Sequence, residues 1–248
     1  MKSDFRVGII GGNGKMGKSL RKFFEEFGID VIFSDVDTEL TNKDVVKSSD
    51  IVILAVPLEK YVNVLNEVKD YLNDEKLLMD IGSLKKEQTE LMKKYHSGEI
   101  LATHPLFGPE KEFKGNENSI IICKVKYGDK SKFIKDLFEK KDLKVVELSP
   151  QEHDKIMAYI HGFYYLMNIT YLDLLKCKFH TIQNLKNIMT TSFRKYVESL
   201  ENIFNTQDWL IDLISYENPY INKVIFEFKE KLGKKVNISE IREFLNER

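Results

Sequence analysis

The chain has 248 residues, 42% of them hydrophobic, which suits one full-sized domain with a real core and a smaller second unit. The formal net charge of −1 sets up no whole-molecule field toward nucleic acid or an anionic membrane, so neither is expected as a partner. The two cysteines, Cys123 and Cys177, have no paired spacing, so neither a metal site nor a disulfide framework is expected, and both are read as buried, reduced thiols of a cytoplasmic protein.

The opening Met1-Lys2-Ser3-Asp4 runs straight into a strand and lacks the apolar stretch of a signal peptide. Residues 6–10 (RVGII) read as a short apolar strand ending in glycines. Residues 15–27 follow as an amphipathic helix, with Met16, Leu20, Phe23, Phe24 and Phe27 on one side. Further strands are predicted at 30–34, 51–56, 77–81, 100–103 and 119–123, with helical runs near 59–72 and 85–95. Near-continuous apolar strands separated by helices predict a Rossmann-type, doubly wound, mostly parallel sheet covered on both faces. After Pro150 the strand signals stop, and helices are predicted near 151–176, 181–205, 207–215, 219–232 and 239–246. The chain therefore divides into an α/β dinucleotide-binding domain at 1–149 and an all-helical domain at 150–248. The segment 157–175 is apolar nearly all round, but His161, Asn168 and Asp173 interrupt it. A helix buried on most faces, in a core or a dimer interface, is expected there rather than a membrane span.

The first strand runs into Gly11-Gly12-Asn13-Gly14-Lys15-Met16-Gly17, which contains the dinucleotide spacing G-x-G-x-x-G. Gly12 allows the tight turn, Gly14 lets the backbone approach a pyrophosphate, and Gly17 permits close helix–strand packing. The helix N-terminus then presents N–H groups and a positive dipole end to phosphates. Asp35, at the end of the second strand, can accept hydrogen bonds from ribose hydroxyls and would repel a 2′-phosphate. No arginine stands near it in the sequence, so NAD is expected rather than NADP.

Ligands of open α/β sheets bind beyond the carboxyl ends of the strands. There the third strand runs through Val56 into Pro57, the fourth leads to Ser83, and the fifth leads to a loop beginning at His104 and stiffened by Pro105 and Gly108-Pro109. An imidazole titrates near neutrality and can take a proton from an alcohol as its hydride leaves, which makes His104 the candidate base. Ser83 either orients that group or the substrate, or caps the helix that follows it. His96 reads as a solvated turn residue and His180 as a helix cap. His153 and Asp154 open the long helix, and His161 lies two turns further along it.

These residues resemble the prephenate dehydrogenase family, which includes arogenate and cyclohexadienyl dehydrogenases. The glycine loop is similar to the family's fingerprint. Asp80-Ile81-Gly82-Ser83-Leu84-Lys85 is similar to its D-x-x-S-x-K stretch, and His104-Pro105-Leu106-Phe107-Gly108-Pro109 to its H-P-M-F-G-P motif. Glu152-His153-Asp154, followed by Met157-Ala158, is similar to its E-H-D-x-x-M-A helix start. The resemblance implies NAD-dependent oxidative decarboxylation of prephenate, or of arogenate, with His104 as the catalytic partner of the ring hydroxyl and Ser83 orienting it. It also implies a homodimer built through the helical domain.

A substrate with two carboxylates needs cations, and the chain has five arginines: Arg6, Arg21, Arg194, Arg242 and Arg248. Arg194 aligns with a family arginine and has the planar fork that suits a carboxylate. Two other family positions depart from the pattern: a second arginine position falls on Asn202, and the stretch after E-H-D is His161-Gly162-Phe163-Tyr164-Tyr165. His161, Tyr164, Tyr165, Lys155 or a partner-subunit residue is expected to complete the clamp. Two competing readings remain: a hydroxyacid or imine reductase with Lys155 in the catalytic place, and a cofactor-binding sensor without catalysis.

Overall fold

The computed structural model describes residues 5–246, except the side chains of Glu201 and Asn202. The first four residues, read above as the run into a strand, and Arg248 lie outside that range. Cα packing divides the chain into two units, Met1–Ile156 and Met157–Arg248.

The first unit is a seven-stranded sheet in the order β2-β1-β3-β4-β5-β6-β7. Its strands are β1 (Val7–Ile10), β2 (Val31–Ser34), β3 (Ile51–Leu54), β4 (Leu77–Asp80), β5 (Glu99–Pro105), β6 (Ser119–Lys126) and β7 (Lys144–Glu147). All neighbours pair in parallel except β5 and β6. The Rossmann-type sheet expected from the sequence is therefore present. Every residue of β1, β3 and β4 is buried, as strands covered on both faces must be. The helices are α1 (Lys15–Glu25), α2 (Asn42–Lys47), α3 (Tyr61–Val68), α4 (Lys86–Tyr95), α5 (Asp129–Lys140) and α6 (Pro150–Met157).

Two apolar clusters form, one on each face. Leu20, Phe23 and Phe24 of α1 and Ile134, Leu137 and Phe138 of α5 pack in one, while Val45, Val46, Val64, Leu65 and Met92 of α2, α3 and α4 pack in the other. The first helix stops where Gly28 takes φ +69°, with Ile29 N–H returning to the Phe24 carbonyl at 3.2 Å.

Several local readings change. His96 is buried, not solvated, with Nε2 donating to the Lys76 carbonyl at 2.9 Å. That burial lowers its pKa below the usual imidazole value. Cys123 is buried and its thiol is pushed up to about 12 by desolvation, whereas Cys177 is exposed. Two elements stand beyond those predicted from the sequence: β7, a strand whose residues are mostly exposed, and α5, whose Ile134, Leu137 and Phe138 are buried.

The second unit is helical: a π-helical turn at Ala158–Gly162, then α7 (Phe163–Phe179), α8 (Thr191–Ser199), α9 (Glu201–Phe204), α10 (Asp208–Tyr216), α11 (Ile221–Lys231) and α12 (Ile238–Asn246). The helix expected at 181–205 is broken into a 3-10 turn and two short helices, because Thr190 caps α8 by accepting from Phe193 N–H at 3.2 Å. His180 ends α7 at φ +64°. The expectation that the apolar segment is buried on most faces fails within this chain. Only Asn168 of α7 is buried, while Tyr164, Met167, Tyr171 and Leu174 are exposed. Among the described residues no helix is long and apolar enough to cross a membrane.

Gly162 lets the π-helical turn lie against α10. A Cβ there would sit 2.6 Å from the Ile214 carbonyl oxygen, a backbone atom that cannot rotate aside. We expect Gly162→Ala to lower stability by about 1–3 kcal/mol, the usual range for overpacking, read from urea unfolding monitored by circular dichroism. An unchanged midpoint would show that the two helices separate freely.

Candidate active site

The sheet reverses its winding between β1 and β3, and the carboxyl ends of β1, β3, β4 and β5 share one edge. The glycine loop leaves β1 at this switch point. Gly11 takes φ +89°, and a Cβ there would meet the Ala55 carbonyl at 2.5 Å, so the loop lies directly on the segment carrying Val56 and Pro57. The three fingerprint glycines answer to different neighbours. A Cβ on Gly12 would lie 2.5 Å from the Phe33 side chain, and one on Gly17 only 2.2 Å from the Gly11 carbonyl. Packing inside the protein therefore demands both. Gly14 is exposed, and a Cβ there would approach Gly11 O at 3.2 Å and Ala55 O at 4.0 Å, so packing inside the protein demands this glycine less than the other two. It is also the N-cap of α1, without a side-chain cap and with no acidic residue in the first turn. Lys15 is exposed and Met16 half-buried beside it. An open glycine at an uncompensated helix N-terminus fits a pyrophosphate-bearing dinucleotide.

Asp35 is half-buried and fixed. Its Oδ2 accepts the Asn13 N–H and its Oδ1 the Val36 N–H, both at 2.8 Å. Asn13 in turn donates from Nδ2 to Asp37 at 2.8 Å. The fold also brings in an arginine that sequence distance hides. Arg21 lies 3.6 Å over the Phe33 ring, with a long 3.5 Å contact to Asn13 Oδ1. The absence of a nearby arginine is thereby corrected: two carboxylates and one guanidinium flank Asn13.

At the other strands the polar residues converge underground. His104 is not in a loop. β5 continues through Pro105, and His104 pairs with Ile121 of β6. Antiparallel pairing holds it more firmly than prolines alone would, and it is buried at 4% exposure. Its Nδ1 lies 2.9 Å from His153 Nε2, and His153 Nδ1 lies 2.7 Å from Asp154 Oδ1. Asp154 also accepts the backbone N–H groups of Lys85 and Lys86, each at 2.9 Å, and so caps α4 from α6. Ser83, half-buried in the β4–α4 connection, is not that helix's cap.

Lys85 and Asp80 form an ion pair at 2.6 Å with both side chains fully buried. Tyr61 donates to Asp80 at 3.2 Å and Gly82 N–H donates at 3.0 Å. Burial first, and then Asp80, hold the Tyr61 hydroxyl well above the ordinary phenol range. The downstream loop is strapped to α1: Ser19 donates to the Pro109 carbonyl at 3.2 Å, and Lys22 pairs with Glu112.

His153, Asp154, Asp80 and Lys85 are thus parts of this cluster that residue-by-residue reading ranked low. Their presence in the D-x-x-S-x-K and E-H-D stretches was the available signal. Lys155 is exposed on α6. In the second unit His161 meets Tyr165 edge-on at 5.2 Å, and Tyr165 meets Tyr164 at 5.9 Å. Arg194 is exposed, its guanidinium 3.4 Å from the Lys186 carbonyl, and is not brought to those rings by any contact described. The side chain of Asn202 lies outside the described residues.

Comparison with known proteins gives a consistent result. Residues 28–147 match the family model "Prephenate dehydrogenase, nucleotide-binding domain". A Methanocaldococcus jannaschii protein described as a probable arogenate/prephenate dehydrogenase is 25% identical over 90% of this chain and 54% of its own length. The chain spans about half the length of the curated relatives it matches. Among solved structures, prephenate dehydrogenase from A. aeolicus in complex with hydroxyphenyl propionate and NAD+ has a TM-score of 0.74 at 20% identity, covering 99% of this chain and 93% of that one. Synechocystis arogenate dehydrogenase has a TM-score of 0.71 at 16% identity, covering 92% and 89%. At these identities the two structures establish the fold.

The buried ion pair gives a stability test. Removing one partner of such a pair leaves an uncompensated charge, which costs about 3–5 kcal/mol. Lys85→Met is expected to lose that much in chemical unfolding. A loss under about 1 kcal/mol would mean that Tyr61 and Gly82 already hold the Asp80 carboxylate unaided.

Proposed function

We propose, from the match of residues 28–147 to the nucleotide-binding domain of prephenate dehydrogenases, that the protein is an NAD-dependent prephenate dehydrogenase. One observation carries the reading: His104 is the penultimate residue of β5, at the same sheet edge from which the glycine loop springs. A base and a dinucleotide site at one edge suit oxidation of an alcohol carbon.

The cofactor would be held by Gly12, Asn13, Gly14, Lys15, Met16 and Gly17 at its phosphates, by Asp35 at its ribose, and by Val56 and Pro57 alongside. When bound, its nicotinamide accepts a hydride. NAD is favoured because Asp35 and Asp37 both flank Asn13, where a 2′-phosphate would meet negative charge, while Arg21 is laid over Phe33.

His104 takes the proton of the substrate's ring hydroxyl as hydride leaves the same carbon. The pair released by loss of the ring carboxylate as CO2 then completes the aromatic ring, and His104 returns its proton to the phenolate oxygen. The product is 4-hydroxyphenylpyruvate. Aromatisation drives the reaction, and the protein supplies position and charge. Ser83 orients His104 or the hydroxyl. Lys155, His161, Tyr164, Tyr165 and Arg194 are proposed as substrate contacts. The exposed apolar side of α7 supports a homodimer formed through the helical unit. Arogenate is the alternative substrate, in keeping with the shared description of the M. jannaschii relative.

Purified protein is expected to form NADH with prephenate, and His104→Asn to reduce kcat by at least about a hundredfold, the usual scale for a general base. NADH from arogenate alone would move the substrate assignment, and NAD binding without turnover of either compound would favour the sensor. Asp35→Ala is expected to narrow the preference for NAD over NADP by about tenfold, one lost charged hydrogen-bond partner. An unaltered ratio of kcat/KM values would remove Asp35 from cofactor selection.

A further inference from the structure

His104, His153 and Asp154 stand in series, linked by contacts of 2.9 Å and 2.7 Å, and all three are buried. Each link needs one donor and one acceptor, and only one end of the series is fixed by chemistry. Asp154 is held as an acceptor by two backbone N–H groups at the start of α4, each at 2.9 Å. His153 must therefore donate from Nδ1. A neutral His153 then presents its lone pair at Nε2, and His104 must donate from Nδ1. The proton-accepting nitrogen of His104 is then Nε2. Burial favours the neutral form of His153, lowering its pKa against the opposing effect of the hydrogen bond it donates to Asp154.

Resting on the reading of His104 as the proton acceptor, we infer that His153 and Asp154 are positioning residues that lock His104 in the Nδ1–H tautomer and stabilise the imidazolium formed when Nε2 takes the hydroxyl proton. The electrostatics agree. The groups acting on His153 are Asp154 on its own helix and Lys85 and Asp80 at the β4–α4 junction. Cys123 of β6 is a neighbour of the same three charges and stays a neutral thiol. Lys85 and Asp80 cancel each other at 2.6 Å, which leaves one negative charge, on Asp154, at the far end of the series from the proton-accepting nitrogen. The arrangement is the orienting carboxylate of a catalytic triad with a second imidazole interposed.

The direct test reads the tautomer without turnover. Protein labelled with 15N in its five histidines, with His104→Asn for assignment, is examined by long-range 15N–1H correlation. The parent is expected to show His104 protonated at Nδ1 and not at Nε2 near pH 7.5. His153→Leu should give a mixture of tautomers, and His153→Gln, whose amide oxygen can still accept from Nδ1–H, should restore the single form.

Kinetically, His153→Leu should lower kcat by about tenfold or more with KM nearly unchanged, as expected for support given only in the transition state. Asp154→Asn removes the charge that favours the imidazolium. The acidic limb of its kcat profile should therefore move to lower pH by about half a unit or more. If Asp154→Asn unfolds α4, the His153 variants, which leave that cap intact, still decide the matter. A His104 protonated at Nε2 in the parent, or a tautomer indifferent to His153→Leu, overturns the inference. Full activity in His104→Asn beside the expected tautomer would instead overturn the proposed base, so the two failures are distinguishable.

Discussion

The carboxylate of Asp154 is the tie on which the candidate site depends. It is buried, and a buried charge is tolerated only when its lone pairs are met by donors. Three described donors meet it: the main-chain N–H groups of Lys85 and Lys86 and the ring of His153. One side chain of α6 thus fixes the start of α4 and the orientation of an imidazole at once. Lys85 extends the tie, since its backbone is held by Asp154 while its ammonium reaches Asp80 at the end of β4. Thr103 of β5 donates to the Asp80 carbonyl at 2.7 Å, so β4 and β5 are joined by side chains as well as by the ladder. Such a network adds less to stability than to uniqueness. Its groups can all be satisfied in only one arrangement, and any displacement strands a charge.

Two places along the sheet's carboxyl edge carry opposite electrostatic character. At β1 the N-terminus of α1 is positive and uncompensated in its first turn. At β4 and β5 the buried cluster carries one excess negative charge. The first would attract a phosphate-bearing group, and the second a proton leaving a hydroxyl. This division needs no moving part. It follows from where a glycine-capped helix and a triply bonded carboxylate attach to one set of parallel strands.

The glycine loop and the strand order were legible because steric exclusion writes them directly. Gly17 faces a carbonyl that no Cβ can approach, and β1 and β3 are apolar throughout. Other features are made only by the fold. In the sequence His104 looks like a loop residue because Pro105 interrupts a local strand pattern. β6, fifteen or more residues away in the chain, pairs across the proline and extends the strand. His153 and Asp154 look like the polar opening of a helix, and only packing against β5 and α4 makes them interior. Likewise His96 is polar in its local surroundings but is enclosed beneath Lys76. Arg21 reaches Asn13 because α1 lies over Phe33, a contact that sequence separation does not reveal. Thr190 is a cap residue masked by a run that otherwise holds helical periodicity.

Under the proposed function, charge would also bear on the choice of substrate. With Asp154 already negative, a dicarboxylate ligand requires cations, and lysines far outnumber the five arginines in this chain. A lysine ammonium binds a carboxylate as a point charge, without the geometric match of a guanidinium fork. It still distinguishes a keto side chain from an amino one, because it attracts the carboxylate of either but repels the ammonium of the second. Among the proposed substrate contacts Lys155 would act in this way, in addition to the guanidinium of Arg194, and the contribution of so exposed a charge should weaken as added salt screens it.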